Sequence, residues 1–120
     1  QFLADKKIVQ SDNMINNFVI VDVKPEFGQA FRDAVLPEMA QSIKREDGVL
    51  AMYATVDKAN DHRWYFYEIY ASEVAYLAHR MTPHFKEYIA QTAKMTTAKE
   101  AIAIIPGKLM NKGGLKYEFD

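Results

Sequence analysis

No cysteine occurs anywhere in the chain. Disulfides, thiol nucleophiles and thiolate metal sites are therefore excluded, and the fold must be held by its core. Glycine and proline are sparse, five and four among 120 residues, so each is expected to mark a turn or a cap. No apolar run approaches the ~20 residues that a membrane-crossing helix needs. Neither sign of charge dominates: 15 Lys and Arg stand against 16 Asp and Glu, a net charge of -1. Nucleic acid is not an expected partner, because phosphate contacts require clustered Lys and Arg. There is also no glycine-rich phosphate loop, nucleophile elbow or dinucleotide fingerprint.

What is present suits one domain with a single core. Residues 1–16 are polar and read as an arm, with a short strand at Lys7–Val9. The domain itself is expected over 17–106, followed by a tail, 107–120, whose Leu115–Phe119 segment alternates and is a candidate edge strand. Gln1 in place of Met leaves the compartment open between cytoplasmic and exported, since removal of a secretory signal is one explanation.

Within the domain, Val- and Ile-rich residues 17–24 predict a first strand. Pro25 opens a helix whose stripe Phe27, Phe31, Ala34, Val35, Met39 and Ile43 reads as core. Pro37 is expected to kink or split it near Val35–Leu36, and Asp47-Gly48 to close it. Strands follow at 49–57 and 63–71 around a turn at 58–61, then helices at about 73–80 and 83–95, with Thr82 capping the second and Pro83 in its first position. A fourth strand covers 99–106. The order strand–helix–strand–strand–helix–strand predicts an α+β, ferredoxin-like split β-α-β fold with an antiparallel sheet.

The third strand sends Arg63, Tyr65, Tyr67 and Ile69 to one face and Trp64, Phe66, Glu68 and Tyr70 to the other. Both faces are largely apolar, yet the helices of one domain cover only one. A second copy of the chain is the expected cover for the other, so a homodimer is predicted.

Candidate chemistry collects between His62 and Phe85. Glu68 among aromatics is either an acid with a raised pKa or one satisfied structurally. His79 borders the stripe Val74, Leu77, Ala78 and Met81, and is either a helix-end residue or a proton acceptor. His84 opens the last helix, with Tyr88 at i+4 as a hydrogen-bond partner. Tyr53 and Tyr70 are candidate donors to a substrate oxygen, alongside their default role as core. Trp64, Phe85 and Tyr88 complete the expected substrate wall. Arg63, Arg80 and Lys86 are solvated charges unless the substrate is phosphorylated. His79 and His84 are separated by five positions with Pro83 between them, which is no metal-ligand spacing, so no metal is expected.

Tyr67-Glu68-x-Tyr70-x-Ser72, then His79-x-x-Thr82-Pro83-His84-Phe85, with Arg63–Phe66 and Glu46-x-Gly48 upstream, resembles the antibiotic biosynthesis monooxygenase superfamily of dimeric α+β barrels. The resemblance runs from about Asn17 to Pro106. Within the superfamily it is similar to bacterial quinol monooxygenases and, more closely over Arg63–Phe85, to enzymes that isomerise a phosphorylated autoinducer-2 signal. It implies a pocket between sheet and helices, a dimer, and neither metal nor flavin. It also implies a small-molecule substrate, with Asp22 matching an acid on the first strand that orients His79 or caps a loop. Haem is not implied: Tyr70 and Ile89 stand where the haem-degrading branch needs tryptophan and histidine. Three functions remain open, namely a cofactor-independent monooxygenase of a quinol, phenol or polyketide-like compound, an isomerase or lyase acting through an enediolate, and a non-catalytic dimeric binding protein. For either enzyme, His79 is the expected base, with Glu68 or Asp22 fixing its tautomer.

Overall fold

The computed structural model describes residues 11–113. Strands β1 (Ile15–Val23), β2 (Val49–Val56), β3 (Arg63–Tyr70) and β4 (Thr96–Ile104) form one antiparallel sheet in the order β2-β3-β1-β4. Helices α1 (Gly28–Arg45), α2 (Glu73–Arg80) and α3 (Pro83–Thr92) complete the fold. This is the expected α+β, ferredoxin-like arrangement. β1 starts two residues earlier than its sequence pattern suggests, β4 three residues earlier, and α3 stops at Thr92. Pro25 begins a short 3-10 turn, Pro25–Phe27, instead of the α-helix, and Pro37 does not split α1. The proposed strands at Lys7–Val9 and Leu115–Phe119 lie outside the described residues.

One face of the sheet carries the core. Val19, Val21 and Val23 of β1 join Trp64 and Phe66 of β3, and against them pack Phe31 and Val35 of α1 and Tyr88 of α3. Phe31, with no exposed surface, meets Trp64 edge-on at 5.3 Å between ring centroids. Full burial of such a side chain contributes ~1.5–3 kcal/mol. The alternate residues point the other way. There Phe18 stacks on Tyr65 at 6.0 Å, and Tyr53 and Ile102 are exposed.

The two short helices are separated by Met81 and Thr82 and tied together by the second of these. Thr82 Oγ1 accepts the N–H of Phe85 at 3.3 Å and donates to the carbonyl of His79 at 2.7 Å, which ties the end of α2 to the start of α3. Ser72 caps α2 by accepting the N–H of Ala75 at 3.1 Å. The helix does not bury its apolar stripe: Val74, Leu77 and Met81 are exposed, while His79 is 2% exposed. Its orientation is set instead by close packing at Ala75. A Cβ on Gly48 would lie 2.5 Å from that of Ala75, and Gly48 also accepts the N–H of Ala71 at 2.8 Å. Gly48 is thus needed for approach.

Candidate active site

Between the core face of the sheet and the helices lies a cavity of about 590 Å³. Glu38 of α1, Glu68 and Tyr70 of β3, Tyr76 and His79 of α2, and Phe85 and Tyr88 of α3 are on its wall. Its cationic members are Arg80, Lys86 and Lys99.

His79 is positioned by Glu46, the residue that ends α1. Its Nδ1 lies 3.1 Å from Oε2 and 3.2 Å from Oε1 of Glu46. An ionised carboxylate only accepts, so this contact puts the proton on Nδ1 and leaves Nε2 with a free lone pair. The same Glu46 Oε2 takes Nε2 of His84 at 2.6 Å. The Phe85 ring covers the His79 imidazole at 4.8 Å, and Tyr70 flanks it at 5.2 Å. On the Nε2 side stands Glu38, 3.9 Å away, held by the Ser42 hydroxyl at 2.9 Å.

Two cavity acids hold their protons more tightly than exposed carboxyls do. Burial raises the pKa of Glu68 above the usual carboxylate range, opposed by the hydrogen bond that the Tyr70 hydroxyl donates to it at 2.8 Å. Burial likewise raises Glu38, opposed by Ser42. Tyr70 is raised in turn by burial and by the neighbouring Glu68 charge, so it stays a phenol. Lys99 is exposed as a residue, yet its ammonium sits 6.0 Å over the Tyr88 ring and burial there lowers its pKa. The wall thus holds an imidazole, two acids with raised pKa and a phenolic donor, the components of proton transfer at carbon or oxygen.

The expected residues divide between the two sides of the sheet. His79, Glu68, Tyr70, Phe85 and Tyr88 meet in the cavity. His84 does not bond Tyr88; it stands behind His79, on Glu46. Trp64 is core, stacked on Phe66 at 5.8 Å and capped by the Arg32 guanidinium at 5.1 Å. Tyr53, 47% exposed, is on the opposite sheet face, paired in register with Tyr67. Asp22 is there too, bonded to Arg63 at 2.8 and 3.0 Å, and cannot orient His79. Neither Asp22 nor Glu68 fixes the imidazole; Glu46 does.

Glu38, Ser42 and Lys99 were missed. Glu38 lies seven residues after Phe31 and three after Val35, on the stripe read as core, so an acid within that stripe was the available signal. Lys99 required the register, which pairs it with Val21 and so turns it to the helix side. Glu38, His79 and His84 each offer a ligand atom, all within 4.8 Å of one another, and are the residues able to hold a metal ion.

The chain is 32% identical to a provisionally named antibiotic biosynthesis monooxygenase from Bacteroides thetaiotaomicron, with a TM-score of 0.80 over 89% of this chain and 98% of that one. Provisionally named monooxygenases from Lactobacillus acidophilus and Fusobacterium nucleatum are 34% and 36% identical, with TM-scores of 0.82 and 0.85 over 86% and 94% of this chain. The chain spans about half the length of those two, 49% and 52%. A search of curated proteins gave no match. The family model described as antibiotic biosynthesis monooxygenase matches residues 14–91, from the start of β1 to the end of α3, and so takes in every cavity acid and both histidines of the cluster. With that match and those identities, the chain belongs to the antibiotic biosynthesis monooxygenase family.

Proposed function

We propose that this protein is a cofactor-independent monooxygenase of a small quinol, phenolic or polyketide-like substrate. His79 Nε2 takes the phenolic or enolic proton, Glu46 stabilises the imidazolium that forms, and the Tyr70 hydroxyl turns from Glu68 to donate to the resulting oxyanion. The electron-rich anion then reacts with dioxygen. For a quinol the balance is one quinol and one O2 giving a hydroxylated quinone and one water, with the substrate supplying all four electrons. The supporting observation is the Glu46–His79 pair, whose imidazole is on the wall of the cavity between sheet and helices. The test is oxygen uptake with a panel of reduced quinols, with chelator present and no flavin added. Uptake should exceed the buffer rate in proportion to protein; uptake at the buffer rate across the panel removes this reading.

A second reading draws support from the cavity cations. Among the described residues, no carboxylate lies within 4.0 Å of Arg80, Lys86 or Lys99, whereas Arg63 is paired away on the other face. Such a wall suits a phosphorylated or carboxylated hydroxycarbonyl compound, isomerised by the same base through an enediolate without oxygen. Turnover that persists under nitrogen selects isomerisation; turnover that stops selects oxygenation.

We further propose a homodimer built on the sheet face opposite the helices, where Phe18, Ile20, Tyr65 and Ile102 gather. Two copies joined there would bury ~1,600 Å² or more in total. Light scattering at micromolar concentration should give twice the chain mass, falling to one chain mass in Phe18→Glu; a monomeric wild type contradicts the proposal.

A further inference from the structure

Independently of the reaction proposed above, we propose that Glu38, His79 and His84 bind one divalent transition-metal cation of the zinc class. Glu46 accepts from Nδ1 of His79, which leaves Nε2 of that ring as a lone pair, and it also bonds Nε2 of His84. The ligand atoms of these two side chains and of Glu38 come within 4.8 Å of one another. Two imidazoles and one carboxylate are a common donor set for zinc and its neighbours in the first transition row.

The separations fit an ion better than a hydrogen bond. His79 Nε2 and Glu38 Oε2 are 3.9 Å apart, beyond hydrogen-bond range. Zinc bonds of ~2.0–2.2 Å place tetrahedral ligands ~3.3 Å from each other, so a small rotation of the Glu38 side chain brings its oxygen and His79 Nε2 to that spacing. Glu46 then occupies the place of the carboxylate found behind a metal-bound histidine, here His79, where it fixes the tautomer and strengthens the ligand. Charge points the same way. Two carboxylates, Glu38 and Glu46, flank the imidazoles, and among the described residues no Lys or Arg lies within 4.0 Å of either. Glu38 and His79 are on the cavity wall, so the ion would border the cavity.

Zinc and a substrate proton compete for one lone pair, that of His79 Nε2. Metal loading therefore inhibits a reaction that uses His79 as base, whichever reaction it is.

The experiment is calorimetric titration of zinc chloride into the full chain after removal of metals by chelation, backed by the visible absorption of the cobalt(II) form. One ion per chain is expected. Glu38→Gln and His84→Ala should each weaken binding more than tenfold, and Glu46→Gln ~10–100-fold. His62→Ala, whose imidazole lies beside Asp61 and outside the cluster, should bind as the wild type does. Melting curves report whether each variant is folded; His84 is the least buried of the three and keeps the test intact if Glu38→Gln does not fold. No zinc binding by the wild type, or wild-type affinity retained in folded His84→Ala, overturns the proposal. Because the readout is binding, failure of the oxygen-uptake assay leaves the result unaffected.

Discussion

Asp22 and Glu68 are acids on neighbouring strands of one sheet, and they behave in opposite ways. Asp22 points away from the helices and takes a bidentate Arg63, whose hydrogen bonds hold its pKa below the usual carboxylate value. Glu68 points toward the helices, where burial raises its pKa and a phenol is its hydrogen-bond donor. The same division runs through the rest of the sheet. On the open face the polar groups find partners beside water, as Tyr65 does in donating to Asp57 at 2.5 Å. On the cavity face they are held in a poorly hydrated space, and their protonation becomes adjustable. Which side of the sheet a residue faces decides its chemistry more than its type does.

Turnover gives the largest test of that division. His79→Gln should lower the rate on an active quinol by ~10²–10⁴-fold, the contribution of a positioned general base. Gln is the better replacement because His79 is buried and Ala would leave Glu46 facing a void. Asp22→Asn should leave the rate near wild type. Comparable losses in both variants, measured on samples of equal helical content by circular dichroism, would break the comparison.

Stability separates the faces next. Phe31→Ala on the core side should cost ~3–5 kcal/mol by urea unfolding. Tyr53→Ala, on the open side, should cost within ~0.5 kcal/mol in the isolated chain. A loss above that for Tyr53, growing with protein concentration, would show that its face is covered by a second copy.

The pH dependence of melting is the subtlest test. Glu68 binds its proton more tightly folded than unfolded, so its contribution to stability declines as pH rises from the ordinary value of 4.5 through the folded pKa. Glu68→Gln removes that decline and should melt higher than wild type at pH 8, with the difference shrinking toward pH 4. Asp22 has the opposite sign. Its contribution is full above the ordinary value of 3.8 and disappears as pH falls through the lower folded pKa. Asp22→Asn should therefore melt slightly lower at pH 7 and match wild type in strong acid. Shifts of the same sign in both variants would contradict the assignment of faces.

The element order and element types could be read from β-branched runs and the residues that bound them, because those signals are local. Part of the site was legible as well. Glu68, Tyr70, His79, Phe85 and Tyr88 were singled out and do line the cavity. The partners of His79 were not, since they come from α1 through contacts 33 and 41 residues away in the chain. Glu46 was noticed only within the resemblance, and Glu38 was hidden by the apolar residues around it. Asp22 was misplaced because strand alternation was applied to β3 but not carried to β1, where Val21 and Val23 already claim the core face. The exposed stripe of α2 misled for a different reason. Packing at Ala75 outweighs apolar periodicity in a helix of eight residues.

That packing has a consequence for the chemistry. Gly48 follows Glu46 by two residues, and Ala75 precedes His79 by one helical turn. The hydrogen atom on Gly48 therefore acts as a spacer gauge: it sets how near the helix bearing the base may come to the carboxylate that holds it. Adding one methyl group there would push α2 outward as a rigid rod and draw Nδ1 away from Glu46, with no side chain of the cavity altered. The grip on the imidazole is thus adjustable from a position that touches neither substrate nor base, by changing a width instead of a charge.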